Sequence, residues 1–212
     1  MPLFEKNGVK VLFLHIPKTG GTSIEKALGS QSTMTFYSRI QPTELRVCPQ
    51  HMVVRDLFML LGSKGWDHAF SVVRNPYDRI ESEYCFRSDI GDNRYGQKID
   101  FSTWVLTSLH KSKRKPWFWD NHFRPQTDFI DSNVTLFRYE DGIETAVREA
   151  QAWLGLKQVR SLEIMNASER KRQTWSADAL NSFNDFYAND FKELGYRKRN
   201  KTLRFFLADR ST

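Results

Sequence analysis

Three short apolar runs, each followed by a turn and then by a helical pattern, predict an α/β domain with a largely parallel sheet. The runs are Val9–His15, His68–Arg74 and Asn133–Tyr139. The second is apolar enough to be buried on both faces, as parallel strands are, and the third reads as a further core strand. No linker or internal repeat divides the 212 residues, so residues 1–212 read as a single domain, with its core at about 9–196 and a basic tail at 197–212.

The elements follow in order. After the first strand a helix is expected from about Gly21 to Leu28, with Thr22 or Ser23 near its cap and Gly29 to Ser32 ending it. A short strand is expected at Met34–Ser38 and a loop at Ile40–Pro49. Met52–Leu61 has its apolar residues at helical spacing, closed by Gly62 and Gly65. Asn75-Pro76 ends the second strand, and Pro76 suits the first turn of a helix running to about Arg87. A polar loop (Asp89–Asp100), a helix (Phe101–Leu109), the basic run Lys111–Lys115 and the aromatic cluster Trp117, Phe118, Trp119 come next. The third strand leads into a helix over Glu140–Leu154, stopped by Gly155. A polar stretch, Lys157–Thr174, precedes a last helix over Ser176–Leu194.

Composition narrows the function classes. Hydrophobic residues at 40% and aromatics at 14% exclude global disorder. A formal net charge of +7 favours an anionic partner without choosing among nucleotide, acidic glycan, nucleic acid and membrane surface. Cys48 and Cys85 are too few for a disulfide framework and read as two buried thiols, with a single disulfide as the alternative. The start, MPLFEKNGVK, has no signal-peptide pattern, and no run reaches the ~20 residues of a membrane span, so a cytoplasmic location is expected.

Two stretches carry chemistry. The first is VKVLFLHIPKTGGTSIEKAL, Val9–Leu28: strand, glycine-rich turn, helix. Glycines let backbone N–H groups converge on an anion, and a helix N-terminus adds partial positive charge. Lys18 supplies a full charge. The loop is not a Walker A motif, because Lys18 precedes the glycines instead of following them. A plain glycine turn after a buried strand is the alternative. The second stretch is RNPYDRIESEY, Arg74–Tyr84, again at a strand-to-helix junction. An arginine fork at the strand end and Ser82 two helical turns on suit one phosphate; a capped helix start with solvated charges is the alternative.

Together the two stretches resemble the sulfotransferases that use 3′-phosphoadenosine-5′-phosphosulfate (PAPS). PKTGGTS is similar to their 5′-phosphosulfate loop, and the HIPKTGGTS form is most similar to the carbohydrate and heparan 2-O-sulfotransferase branch. RNPxxRxxSxY is similar to their 3′-phosphate segment. The resemblance implies a P-loop-NTPase-like three-layer α/β fold, its central, mainly parallel sheet flanked by helices. It implies PAPS bound by Pro17, Lys18, Thr19, Gly20, Gly21, Thr22, Ser23, Arg74 and Ser82, with adenosine 3′,5′-bisphosphate released and no metal required. It implies an acceptor hydroxyl, carbohydrate first, with lipid, small metabolite and peptide as alternatives and nucleic acid not expected.

Sulfuryl transfer needs a base for the acceptor proton and charge to neutralise the leaving phosphate. Lys18 suits the second task. For the base, His51 stands between the two cofactor motifs, where the resembled branch places its catalytic histidine; a helix-capping role is its alternative. His122 is the runner-up. It lies in NHFRPQTDFI, which resembles a family segment, so His122, Arg124 and Gln126 become acceptor-cleft candidates, or else a polar loop packed on the sheet edge. Arg138 in RYED and His15 read as structural. NASERKR (Asn166–Arg172) is similar to a family loop that closes over the nucleotide, or is a solvated charge run. Trp117–Trp119 suit sugar stacking or the core. A kinase on the same fold and a non-enzymatic anion-binding module are the rival functions.

Overall fold

The computed structural model describes residues 1–62, 65–89, 99–158, 162 and 172–200. Its strands are β1 (Leu3–Lys6), β2 (Val9–Leu14), β3 (Thr33–Thr35), β4 (His68–Val73) and β5 (Thr135–Arg138). Its helices are α1 (Gly21–Gly29), α2 (Val54–Leu61), α3 (Pro76–Asp89), α4 (Phe101–Arg114), α5 (Ile143–Trp153), α6 (Ala177–Phe186) and α7 (Ala188–Glu193). The strands form one sheet in the order β3-β1-β2-β4-β5. β2, β4 and β5 pair in parallel, with Phe13 opposite Phe70 and Phe70 opposite Thr135. β1 pairs antiparallel with both β2 and β3.

Side chains alternate across a strand, and β2 uses both faces. Leu12 and Leu14 join Leu3, Ala69 and Val73 under α2, whose Val54 and Leu57 close that side. Val11 and Phe13 join Phe4, Phe70 and Val72 under α1 and α5, through Ile24, Leu28, Ala146 and Val147. Helix, sheet, helix is the expected three-layer α/β arrangement. A separate aromatic core joins α3, α4, α6 and α7 around Tyr77, Trp104, Phe183 and Phe191.

The structure revises several expected bounds. The core starts at β1, ahead of residue 9, because Leu3 and Phe4 are buried. β5 is an edge strand, not a fully buried one: Leu136 is 42% exposed. The basic run after Leu109 is the last turn of α4, where cations face the negative end of the helix dipole. The single helix expected over Ser176–Leu194 breaks at Tyr187 into α6 and α7, with Ser176 capping α6 as expected. Gly142, at φ 89°, separates a 3₁₀ turn at Tyr139–Asp141 from α5, where one helix was expected. Neither Cys48 nor Cys85 is in a disulfide; Cys48 is buried and Cys85 half-buried. Among the described residues no helix is long and apolar enough to cross a membrane. Most of NASERKR and of the basic tail lies outside the described residues.

Candidate active site

The carboxyl ends of the parallel strands meet at a cavity of about 250 Å³. His15 and the loop follow β2, Arg74 follows β4, and Tyr139 follows β5. Ligand crevices in open α/β sheets lie at this end of the strands. Pro17, Lys18, Gly20, Gly21, Thr22, Arg74, Ser82, His51, Asp120 and His122 all border the space.

The loop is bent by two left-handed residues, Lys18 at φ 70° and Gly20 at φ 88°. Gly20 is the N-cap of α1, and no side-chain hydrogen bond caps that helix. The expected caps, Thr22 and Ser23, fall inside its first turn. First-turn amides have no intrahelical acceptor, so those of Gly21 and Thr22 open where the cavity lies. Glycine is required at position 21 by packing: a Cβ there would sit 2.2 Å from His15 Nε2. Arg79 ties the loop down through Nε to Pro17 O at 3.0 Å, and Arg74 Nη1 donates to Lys18 O at 2.9 Å. Lys18 Nζ lies 4.0 Å from the centre of the Phe86 ring. Burial lowers the Lys18 pKa, and the neighbouring Arg74 and Arg87 lower it further against Glu83. Such a cation gains from receiving an anion.

Opposite the loop, three imidazoles stand in a row, edge to face. The ring centres of His15 and His51 are 5.1 Å apart, and those of His51 and His122 5.0 Å. Each Nδ1 faces its own carboxylate: Glu25 at 2.5 Å, Asp120 at 2.6 Å and Glu83 at 2.7 Å respectively. That contact places the proton on Nδ1 and leaves Nε2 as the acceptor. Burial lowers all three histidine pKa values, and the carboxylates offset it only in part, so the rings are neutral near pH 7.

The three differ in what remains available. Nε2 of His15 is packed against Gly21, which makes His15 structural. Glu83 is shared between His122 and Arg87, whose Nε lies 2.5 Å from it. Burial disfavours its charge, but His122, Arg87 and Lys18 outweigh burial and hold the carboxyl down at about 2. Among the described residues Asp120 pairs with no arginine. It accepts from the Cys48 amide at 2.7 Å and from Cys48 Sγ at 2.9 Å. Its negative charge is therefore more available to stabilise an imidazolium at His51 than that of Glu83 is at His122.

Asp120 is held by strained backbone. Trp119, Asp120 and Asn121 all have positive φ, at 49°, 56° and 63°. A left-handed non-glycine residue costs roughly 1–2 kcal/mol, and runs of them cluster at functional sites. Here the strain turns Asp120 onto His51, while Asn121 Nδ2 donates to His51 O at 2.8 Å.

Not every residue singled out from the sequence reaches the cavity. Thr19 and Ser23 are buried beneath the loop, and Thr19 Oγ1 donates to Ile16 O at 2.8 Å. Gln126 is fully buried and pairs with the Arg74 backbone at both N and O, so it braces the end of β4 instead of lining an acceptor cleft. Arg124 pairs with Asp128 at 2.9 Å and does not border the cavity. His122 does. Missing from the sequence reading were Cys48, Glu25, Glu83 and Asp120; only the acidic residue next to Trp119 in an aromatic run offered any signal.

A second hollow of about 660 Å³ shares Phe86, Asp120 and His122 with the first. It is lined also by Gln41, Arg46, Lys115, Trp117, Phe118 and Trp119. The aromatic cluster is thus half core and half wall: Phe118 and Trp119 pack on the aromatic core, and Arg46 lies 4.2 Å over Trp117.

Fold and site together define an α/β domain with a phosphate-type loop facing a histidine–carboxylate pair. The sequence matches the model of the sulfotransferase family over residues 3–200, and the chain belongs to that family. Sulfuryl transfer to an acceptor is the chemistry of this family. No curated protein matches the chain significantly. Among solved structures, a sulfotransferase from Alicyclobacillus acidocaldarius is similar at 14% identity, covering 87% of this chain and 93% of its own, with a TM-score of 0.46.

Proposed function

We propose that the protein transfers the sulfuryl group of PAPS to a hydroxyl of a carbohydrate, in the manner of the 2-O-sulfotransferase-like branch. The observation that carries this reading is that Lys18, the first turn of α1, Arg74, Ser82 and the His51–Asp120 pair border one cavity. PAPS fits the chemistry of these donors: an uncapped helix start beside Lys18 suits a phosphosulfate, and Arg74 with Ser82 suits a second phosphate. When bound, it supplies the sulfuryl group to be transferred. Pro17, Gly20, Gly21 and Thr22 form the cradle for its 5′ end, with Thr19 and Ser23 supporting the loop from below. Lys18 places positive charge where the leaving phosphate gathers negative charge.

His51 accepts the acceptor's proton at Nε2, and Asp120 stabilises the imidazolium through Nδ1. The hollow beyond Asp120 and His122 offers aromatic faces and cations to a sugar ring. Neutralisation by Lys18 and the loop amides leaves the transfer without a requirement for a metal.

A labelled-PAPS transfer screen across glycan, lipid, small-metabolite and peptide acceptors tests the reading, with His51→Ala beside the wild type. Preference for ATP with Mg²⁺ over adenosine 3′,5′-bisphosphate in binding would remove it in favour of a kinase.

A further inference from the structure

We propose that Cys48, His51 and Asp120 form a binding site for a single Zn²⁺ ion, and that zinc held there switches off the base at His51. The second half rests on the function proposed above; the first does not.

The three donor atoms already surround a point. Cys48 Sγ lies 3.6 Å from His51 Nδ1 and 2.9 Å from Asp120 Oδ2, and His51 Nδ1 lies 2.6 Å from the same oxygen. Among the described residues this is the one group of three such side chains whose ligand atoms all lie within 4.8 Å of one another. Zinc bonds of 2.0–2.3 Å in a tetrahedron put neighbouring donors about 3.3–3.6 Å apart. The sulfur–nitrogen distance meets this as it stands. The carboxylate has to withdraw by about 0.7 Å to do so, and its side chain is 29% exposed, with room to move into the cavity.

The donor set is selective. Thiolate, imidazole and carboxylate together suit zinc, whereas magnesium and calcium prefer oxygen alone. Three protein ligands with a fourth position open is the arrangement of an accessible zinc site, and all three residues border the cavity. The left-handed run Trp119–Asn121 holds the carboxylate against the other two donors, so little of the site has to be assembled on binding.

The cost is the thiol proton. Burial, followed by the hydrogen bond to Asp120, pushes the Cys48 thiol up to about 12. Zinc must displace that proton to solvent. The resulting thiolate and the Asp120 carboxylate then balance the two charges of the ion. His51 remains neutral, but the metal occupies Nδ1, so its one ring proton moves to Nε2. The nitrogen that accepts the acceptor's proton becomes a donor, and the base is disabled without leaving its place.

The experiment uses the full chain freed of metal and then titrated with Zn²⁺ or Co²⁺ alone. The expected result is one equivalent of zinc bound, measured against a chromogenic chelator, and a thiolate-to-cobalt charge-transfer band in the near ultraviolet. Cys48→Ala abolishes the band, and both Cys48→Ala and Asp120→Asn weaken zinc by at least about tenfold. Cys85→Ser leaves the band unchanged. Transfer from labelled PAPS falls with zinc occupancy in the wild type, and this sensitivity disappears in Cys48→Ala. Absence of the band in the wild type overturns the site, as does equal zinc affinity in Cys48→Ala. A band with full transfer activity at saturating zinc upholds the site and instead removes His51 from the base role.

Discussion

On the loop side of the cavity, Pro17, Lys18 and Gly20 to Thr22 come from one short stretch of chain, and Arg74 and Ser82 share one strand-to-helix junction. On the histidine side, His51 meets Asp120 across 69 residues and His122 meets Glu83 across 39. One end is made of backbone: left-handed turns, an uncapped helix start and a glycine forced by the His15 ring. The other is made of side chains whose roles depend on what lies beside them. Two imidazoles that each face a carboxylate differ because Glu83 also pairs with Arg87, whereas among the described residues Asp120 pairs with no arginine. Shaping a loop needs mostly local geometry; setting a side chain's proton affinity needs the whole fold.

The contrast can be broken by substitution. Lys18→Ala is expected to lower transfer by about a thousandfold, since it removes the charge at the leaving group. Unchanged PAPS turnover in that variant would refute the mechanism. His51→Ala should lower kcat a few hundredfold while the dissociation constant for adenosine 3′,5′-bisphosphate, measured by calorimetry, stays as in the wild type. His122→Asn is the matching control, and a larger loss there would exchange the two residues' roles. Asp120→Asn keeps the shape of the pair but lacks the charge that favours the imidazolium; a drop of about ten- to a hundredfold in kcat is expected, with KM little changed. Arg74→Lys loses the planar fork and should weaken adenosine 3′,5′-bisphosphate about tenfold, leaving kcat at saturation nearly intact.

The smallest effect sharpens the comparison through pH. His15, His51 and His122 have pKa values lowered by burial, so folding favours their neutral forms. A depressed group lends stability that is complete above its unfolded value, ~6.5 for histidine, and lost as pH falls through the folded value. The histidine contribution to the melting temperature should therefore be level above about pH 6.5 and decline on acidification below it, while the buried Met1 amine, lowered from 8.0 to about 4, begins its own decline below about pH 8. Replacing His122 with Asn should make that decline shallower in a thermal-melt series, whereas Lys18→Ala should leave it as it was.

Much of this was legible in the residues. The apolar runs of β2 and β4 and the turns after them are local patterns, and the loop Pro17–Ser23 and the segment Arg74–Ser82 carry their geometry in consecutive residues. The antiparallel edge was missed although its signal was present: Asn7-Gly8, both at positive φ, form the two-residue turn that pairs Lys6 with Val9, but Leu3–Lys6 is only four residues long and was not read as a strand. Gln126 was misplaced because a glutamine in a polar segment gives no sign that it will cap a buried strand end. Asp120 went unread because its partner lies in a distant loop.

By itself, then, the chain determined the α/β plan, the glycine-rich loop Pro17–Ser23 and the strand-to-helix segment Arg74–Ser82 to which the proposed function assigns the two ends of PAPS, since each depends on residues within about one strand, turn and helix. Only the tertiary structure decided which histidine packs its Nε2 against the loop, which carboxylate faces each ring and which polar residues vanish into the core. Burial and charge pairing set a side chain's proton affinity, and both are properties of neighbours that the chain brings together only when it folds.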